Sequence, residues 1–296
     1  LNNDFVLEAA ELSSIIQKPV LVMWTREDDM AGGIYRPAAR YHFKAGLDAN
    51  GNITAFYLRG VGLNAGNSTR QDNFPVGAIE NVLIESFDQK SAVTTGPWRA
   101  PITNFLGFAE QAFLDEVAEV AGKDPVKMRL DLLARVKTNP VGKITYEPDR
   151  FEEVIKQVAE KAQWMKKPGV HQGFSVYYSH LSYVAQIAEV KVENGKPKVT
   201  KVTAVTDCGE VINLSGAENQ VKGAIIDGMG HALYAKLNFQ AGVAGPQNFN
   251  AYRMIRGNEV PVIDAYFVNN GIAPTGLGEP ALPPTGGSIA NAIYAA

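Results

Sequence analysis

The stretch Tyr183-Val-Ala-Gln-Ile-Ala-Glu-Val-Lys-Val192, turned by Asn194-Gly195 into Val199-Thr-Lys-Val-Thr-Ala-Val-Thr206, decides the fold class. Its first half is too apolar to be half exposed and reads as a strand covered on both faces. Asn-Gly accepts the positive φ values of a tight hairpin turn, so the two runs pair antiparallel. Three helical patterns lie between residue 105 and this hairpin. Residues 105–121 carry Phe105, Phe108, Ala112, Phe113 and Val117 at helical spacing, with Gly122 past the end. Asp124-Pro125 fills the cap and first-turn positions of a helix running to Arg135. The third helix opens at Asp149, sets Phe151, Val154, Ile155, Val158 and Ala162 on one face, and ends over residues 166–169. Strands and helices in this order give an α+β fold, with mixed or antiparallel sheets and helices packed on one side. Two subregions are expected, 1–148 and 149–296, meeting near the helix that opens at Asp149.

Toward the N-terminus, Asp4 can cap a helix that runs to Ile16 and is stopped by Pro19. Residues 20–24 read as a short buried strand, and the charge cluster Thr25-Arg-Glu-Asp-Asp-Met30 as a solvated turn. Tyr41, Phe43 and Ala45 alternate, Asp48-Ala-Asn-Gly-Asn52 supplies a turn, and Ile53, Ala55 and Tyr57 alternate on the return, a second hairpin. Residues 63–73 suit a loop and 82–87 a strand. Beyond the central hairpin, Asp207-Cys208-Gly209 ends the sheet run. Ser215-Gly-Ala-Glu218 has capping-box spacing for a helix to about Leu237, 246–255 is a loop, and 260–268 is a strand.

Composition narrows the function. The chain of 296 residues is 46% hydrophobic and 20% charged, ordinary for a globular protein with a normal core. A net charge of −3 gives no electrostatic footprint for nucleic acid or for an anionic membrane surface. The single cysteine, Cys208, excludes an internal disulfide and a multi-cysteine metal or iron–sulfur site, and the four histidines show no zinc spacing. The chain therefore offers no metal ligands of its own, and any metal chemistry would arrive with a cofactor. No apolar run reaches membrane-spanning length. The chain starts at Leu1 and stops within a helical run, 288–296, so it reads as a piece of a longer polypeptide; no compartment is assigned.

Three stretches carry candidate chemistry. In Ala273-Pro-Thr-Gly-Leu-Gly-Glu-Pro-Ala-Leu-Pro-Pro-Thr-Gly-Gly287, Glu279 is a lone carboxylate on a loop too rich in Gly and Pro for regular structure. Glycine permits close backbone approach and proline stiffens the support, as a general base beside a bulky cofactor would require; an ordinary loop acid is the alternative. In Thr94-Thr-Gly-Pro-Trp-Arg-Ala-Pro101, two prolines fix an extended backbone from which Trp98 and Arg99 project. Arg99 is either an anion clamp or a surface residue resting on Trp98. The helix after Ser215 bears Gln220, Gly223, Gly228 and Gly230, a small face that either a neighbouring element or a flat ligand approaches closely. Cys208 reads as buried packing.

Taken together, Trp24-Thr-Arg-Glu-Asp-Asp-Met30 with Tyr35-Arg36-Pro37, Gly96-Pro-Trp-Arg-Ala-Pro101, Asp207-Cys-Gly209, Gln220-Val-Lys-Gly-Ala224, Asn248-Phe249, Tyr252-Arg253 and Gly276-Leu-Gly-Glu-Pro280 resemble, in order, the molybdenum-cofactor-binding large subunit of the xanthine oxidase and aldehyde oxidase family. The branch most similar is the isoquinoline 1-oxidoreductase beta-subunit type, and the resemblance runs the length of the chain. It implies a molybdenum hydroxylase that takes oxygen from water and acts on an aldehyde or an N-heterocyclic aromatic. It implies a molybdopterin, in bacteria commonly the cytosine dinucleotide form, held without a protein ligand to molybdenum. Electrons would pass to a separate small subunit with a two-iron, two-sulfur cluster, and the remainder of the large subunit would be a further partner.

Carried onto this chain, Glu279 matches the general base acting on a Mo–OH group, and Arg99 an arginine beside the metal centre. Gln220 matches a pterin-contacting residue, Gly223, Gly278 and Arg99 are counted with it as cofactor-binding, and Arg36 and Trp98 fall on the substrate side. Both expected subregions would be molybdopterin-binding, the second carrying the Glu279 loop. There are departures. Pro101 stands where xanthine oxidase has an aromatic residue, which argues against purine sandwiching. The Gly-Gln-Gly pterin loop is absent; in the isoquinoline branch it lies nearer the N-terminus. Without that wall the piece alone is expected to be inactive, and the competing reading is a cofactor-free scaffold of the same fold.

Overall fold

The computed structural model describes residues 4–165 and 168–296. The cap expected of the Asp4 side chain and part of the stop at 166–169 lie outside the described residues. Helix α1 (Asp4–Ile16) and a short α2 (Arg26–Gly32) lead into strands β1 (Ala39–Leu47), β2 (Ile53–Leu63) and β3 (Asn81–Gln89). Helices α3 (Thr103–Val120), α4 (Pro125–Thr138) and α5 (Pro148–Ala162) follow. Next come strands β4 (His171–Ser179), β5 (Ser182–Glu193) and β6 (Lys196–Asp207), then α6 (Leu214–Leu233). A two-stranded ribbon, β7 (Phe239–Gln240) with β8 (Val243–Ala244), precedes β9 (Val262–Phe267) and α7 (Pro283–Tyr294).

The fold is α+β with mixed sheets. β1 and β2 pair antiparallel around the Asp48–Asn52 turn, where the Asp48 carboxylate accepts from the Asn50 and Asn52 amides, and β3 joins β2 in parallel. The second sheet has the order β4-β5-β6-β9, antiparallel through β6 and parallel between β6 and β9. Alternation along it sorts two cores. Tyr183, Ala185, Ile187 and Val205 join Phe151, Val154, Ile155 and Val158 of α5 in one apolar cluster. Val184, Ala188, Val202 and Ala204 join Val221, Ala224 and Ile225 of α6 with Ile289 and Ala292 of α7 in the other. Helices therefore cover both faces of this sheet, rather than one. That is why β5 reads as a continuous apolar run, each buried aliphatic side chain contributing about 1.5–3 kcal/mol. The first cluster runs from Ile53 to Val268 and so draws on both sides of the 148/149 boundary, which stays a proposal.

α7 lies flush on the sheet because it is built from small residues. A Cβ on Gly173 of β4 would come within 2.1 Å of the Ala292 amide nitrogen and 2.2 Å of the Ser288 carbonyl oxygen. The structure departs from the sequence reading at four further points. Residues 20–24 form no strand: no partner strand lies beside them among the described residues, and Leu21 and Met23 are 87% and 79% exposed. The charge cluster is a helix rather than a turn, because Thr25 caps the Asp28 amide while the Asp28 carboxylate accepts from the Thr25 amide. β4 has no counterpart in the sequence reading. The cap of α6 is Asn213, accepting from the Gly216 amide at 2.9 Å, two residues before Ser215.

Candidate functional site

Glu279 lies on the loop between β9 and α7, and this loop is tied down along its length. Glu210 N donates to Ile272 O at 2.8 Å, Thr275 N to Cys208 O at 2.8 Å, and Gly276 N to His180 O at 3.0 Å. Farther along, Gln186 Nε2 donates to Ala281 O at 2.6 Å while its Oε1 accepts from Thr285 Oγ1 at 3.0 Å. Asp207-Cys208-Gly209 serves this support. The buried Asp207 carboxylate accepts two bonds from Arg150, at 2.8 and 2.9 Å, and one from Asn270 at 2.8 Å. Burial alone would raise its pKa, but these partners hold it below the ordinary aspartate value. Gly209, at φ +71°, leaves room where a Cβ would meet Ala273 O at 2.3 Å. The Cys208 thiol is buried and pushed up by that burial, as a packing residue.

Arg99 reaches this loop from the opposite side. Its Nε donates to Gly278 O at 2.8 Å, and its Nη2 to Gln220 O at 3.0 Å and to Gln220 Oε1 at 3.3 Å. One planar fork therefore joins the 94–101 loop, the first turns of α6 and the Glu279 loop. Arg36 braces the backbone beneath it, donating to Arg99 O at 2.7 Å and Ala100 O at 3.5 Å. Burial pulls the Arg36 guanidinium below its ordinary value, with Asp227, Glu279 and Tyr252 acting against the shift.

Asp227 and His231 are members of the cluster that the sequence reading missed. Asp227 Oδ2 is 3.9 Å from Arg99 Nη1, and its Oδ1 is 3.4 Å from His231 Nε2. His231 Nδ1 lies 3.1 Å from Asn104 Nδ2. Burial pushes His231 below 6.5 against the pull of Asp227. The signal was available, since Gln220, Gly223, Asp227 and His231 recur on one face of α6. The helix glycines divide by role. A Cβ on Gly228 would stand 2.7 Å from Thr285 Cβ, so that position admits α7, whereas a Cβ on Gly223 would meet only Arg99 Nη1 at 3.8 Å. Trp98 is set apart, 56% exposed and without a ring partner among the described residues.

At Glu279 itself, His180 Nε2 stands 3.0 Å from Oε2, too far out of line for a hydrogen bond, and Oε2 is buried without a hydrogen-bond partner among the described residues. His180 too was invisible in the sequence, lying 99 residues from Glu279 in a turn with no motif.

The residues present suit a large flat cofactor. Gly278 is exposed, Gly223 is open toward Arg99, and the exposed Gln220 offers an amide nitrogen with no partner among the described residues. No group of three or more His, Cys, Asp or Glu side chains is arranged to hold a metal ion among the described residues. No helix among them is long and apolar enough to cross a membrane.

Residues 111–261, just over half of the chain, match the model of the molybdopterin cofactor-binding domain. The chain belongs to this family. It is 27% identical to the membrane-bound aldehyde dehydrogenase [pyrroloquinoline-quinone] of Gluconacetobacter polyoxogenes, over 99% of this chain and 42% of that protein. It is 26% identical to isoquinoline 1-oxidoreductase subunit beta of Brevundimonas diminuta, over 97% of this chain and 38% of that one. The fold is similar to that of quinoline 2-oxidoreductase from Pseudomonas putida 86, with a TM-score of 0.77 at 12% identity, over 98% of this chain and 63% of that chain. The chain thus spans about two fifths of the length of these curated relatives.

Proposed function

We propose that this chain forms the cofactor-facing part of a molybdenum hydroxylase acting on an aldehyde or an N-heterocyclic aromatic, with Glu279 as its general base. The observation that carries the reading is the Arg99 fork, which joins the glycine face of α6 and the Glu279 loop into one cluster. When bound, a molybdopterin supplies the two-electron redox chemistry of the reaction, with the incoming oxygen drawn from water. Gln220 offers its free amide to that group, and the missing side chains at Gly223 and Gly278 let it approach the backbone. Arg99 keeps a fixed positive charge beside Gln220 and holds the loop of the base in place. Glu279 accepts a proton at Oε1, the oxygen not turned toward His180. Arg36 fixes the floor, and the exposed Trp98 ring offers an apolar face to the substrate. The cytosine dinucleotide form of the cofactor, a two-iron, two-sulfur partner subunit, and completion of the cleft by the remainder of the large subunit belong to the same proposal.

Glu279→Gln tests it. The variant should lose turnover by about a hundredfold or more while retaining wild-type molybdenum content. Loss of the metal together with the activity would make Glu279 a structural residue instead.

A further inference from the structure

We infer that His180 is a positioning residue for Glu279, supplying the hydrogen-bond donor that holds Oε2 while the other carboxylate oxygen works; this rests on the reading of Glu279 as the base. His180 and Leu181 are the two connecting residues between β4 and β5, with φ of +54° and +60°. Both occupy the left-handed region, where Asn-Gly is the unstrained choice and a bulky pair persists only if its surroundings hold it. The Glu279 loop does so. Gly276 N donates to His180 O at 3.0 Å, and Ser182 Oγ is 2.7 Å from Thr275 Oγ1. Gly276 is a requirement of this contact, because a Cβ there would lie 2.5 Å from His180 Cβ.

The turn therefore fixes where the imidazole starts, and its Nε2 ends 3.0 Å from Glu279 Oε2. What is missing is alignment. Rotation about χ2, a broad torsion for histidine, supplies it without moving the backbone. A buried carboxylate oxygen with no partner is costly, so a donor at this distance is drawn into line when Glu279 carries charge. A neutral imidazole with its proton on Nε2 is sufficient, and no proton is transferred in the positioning itself.

The test reads the contact separately from catalysis. The chain holds four histidines, His42, His171, His180 and His231, so in protein with 15N-labelled histidine the His180 signal is identified by its loss in His180→Gln. The His180 Nε2 resonance should move on Glu279→Gln while those of His42 and His171 stay; an unmoved His180 signal overturns the inference. In the molybdenum-containing enzyme, with acetaldehyde and isoquinoline as probe substrates, His180→Phe should lower kcat roughly tenfold or more at unchanged KM and metal content. His180→Gln, which keeps a donor, should restore most of the loss. Equal turnover in the wild type and His180→Phe, or no rescue by Gln, contradicts the role. If the Phe variant does not fold, the resonance comparison decides alone. Turnover retained in Glu279→Gln with the resonance shifted removes the catalytic role and places the failure in the assignment of the base.

Discussion

Arg99 Nε donates to the carbonyl of Gly278 at 2.8 Å, joining residues 179 positions apart in sequence. The same guanidinium bonds the Gln220 carbonyl, so one side chain links the Glu279 loop directly to α6.

Arg99→Lys should therefore lower turnover by on the order of ten- to a hundredfold, because a single ammonium cannot reproduce the fork. The melting temperature should change little, since Arg99 is part of neither apolar cluster. Steady-state kinetics and a thermal melt check both halves. A large fall in melting temperature at preserved turnover would assign Arg99 to packing.

The two glycines of α6 make a paired prediction. Gly228→Ala puts a methyl group 2.7 Å from Thr285 Cβ and should destabilise by about 1–3 kcal/mol. Gly223→Ala meets only Arg99 Nη1 at 3.8 Å and should be neutral or stabilising by about 0.5–1 kcal/mol through helix propensity. Denaturant titration of both variants measures the contrast, and Gly223→Leu should lower molybdenum content without lowering stability.

Glu110 on α3 is fully buried, and burial pushes its carboxyl from 4.5 up to about 8, with Tyr177 and Arg70 acting in the opposite sense. The folded state then holds a proton that the unfolded state releases above 4.5. Its contribution to stability is complete below that value and is lost as pH rises to about 8, by roughly 1.4 kcal/mol per pH unit at most. Glu110→Gln should remove this slope, so the stability of the wild type, measured by denaturant titration, should fall relative to the variant between pH 5 and pH 8. Parallel curves would show that Glu110 is charged in the folded protein.

The sequence was most legible where local chemistry and tertiary packing agree. Asp48–Asn52 and Asn194-Gly195 are turns on their own terms, and both hairpins follow from them. Asp124-Pro125 opens α4 as written, with Asp124 accepting from the Lys127 amide at 2.8 Å. β4 was missed because His171–Ser179 is covered on both faces, so it has no polar alternation, and because the turn after it is His-Leu rather than Asn-Gly. Residues 20–24 were misread for the converse reason: an apolar run resembles a buried strand whether or not a partner exists. Within the site, Glu279, Arg99 and Gln220 stood out through their Gly and Pro surroundings. Asp227 and His231 share a face of α6 with Gln220, a spacing present in the sequence, whereas His180 enters only because the fold carries the β4–β5 turn to the Glu279 loop.

Binding of a molybdopterin beside Arg99, Gln220 and Glu279 is decided by quantifying molybdenum in the full-length protein purified from its host. The expected result is close to one molybdenum per chain, bound with a pterin. Folded protein with no molybdenum, or one carrying only a quinone cofactor of the kind in the Gluconacetobacter relative's name, would contradict it.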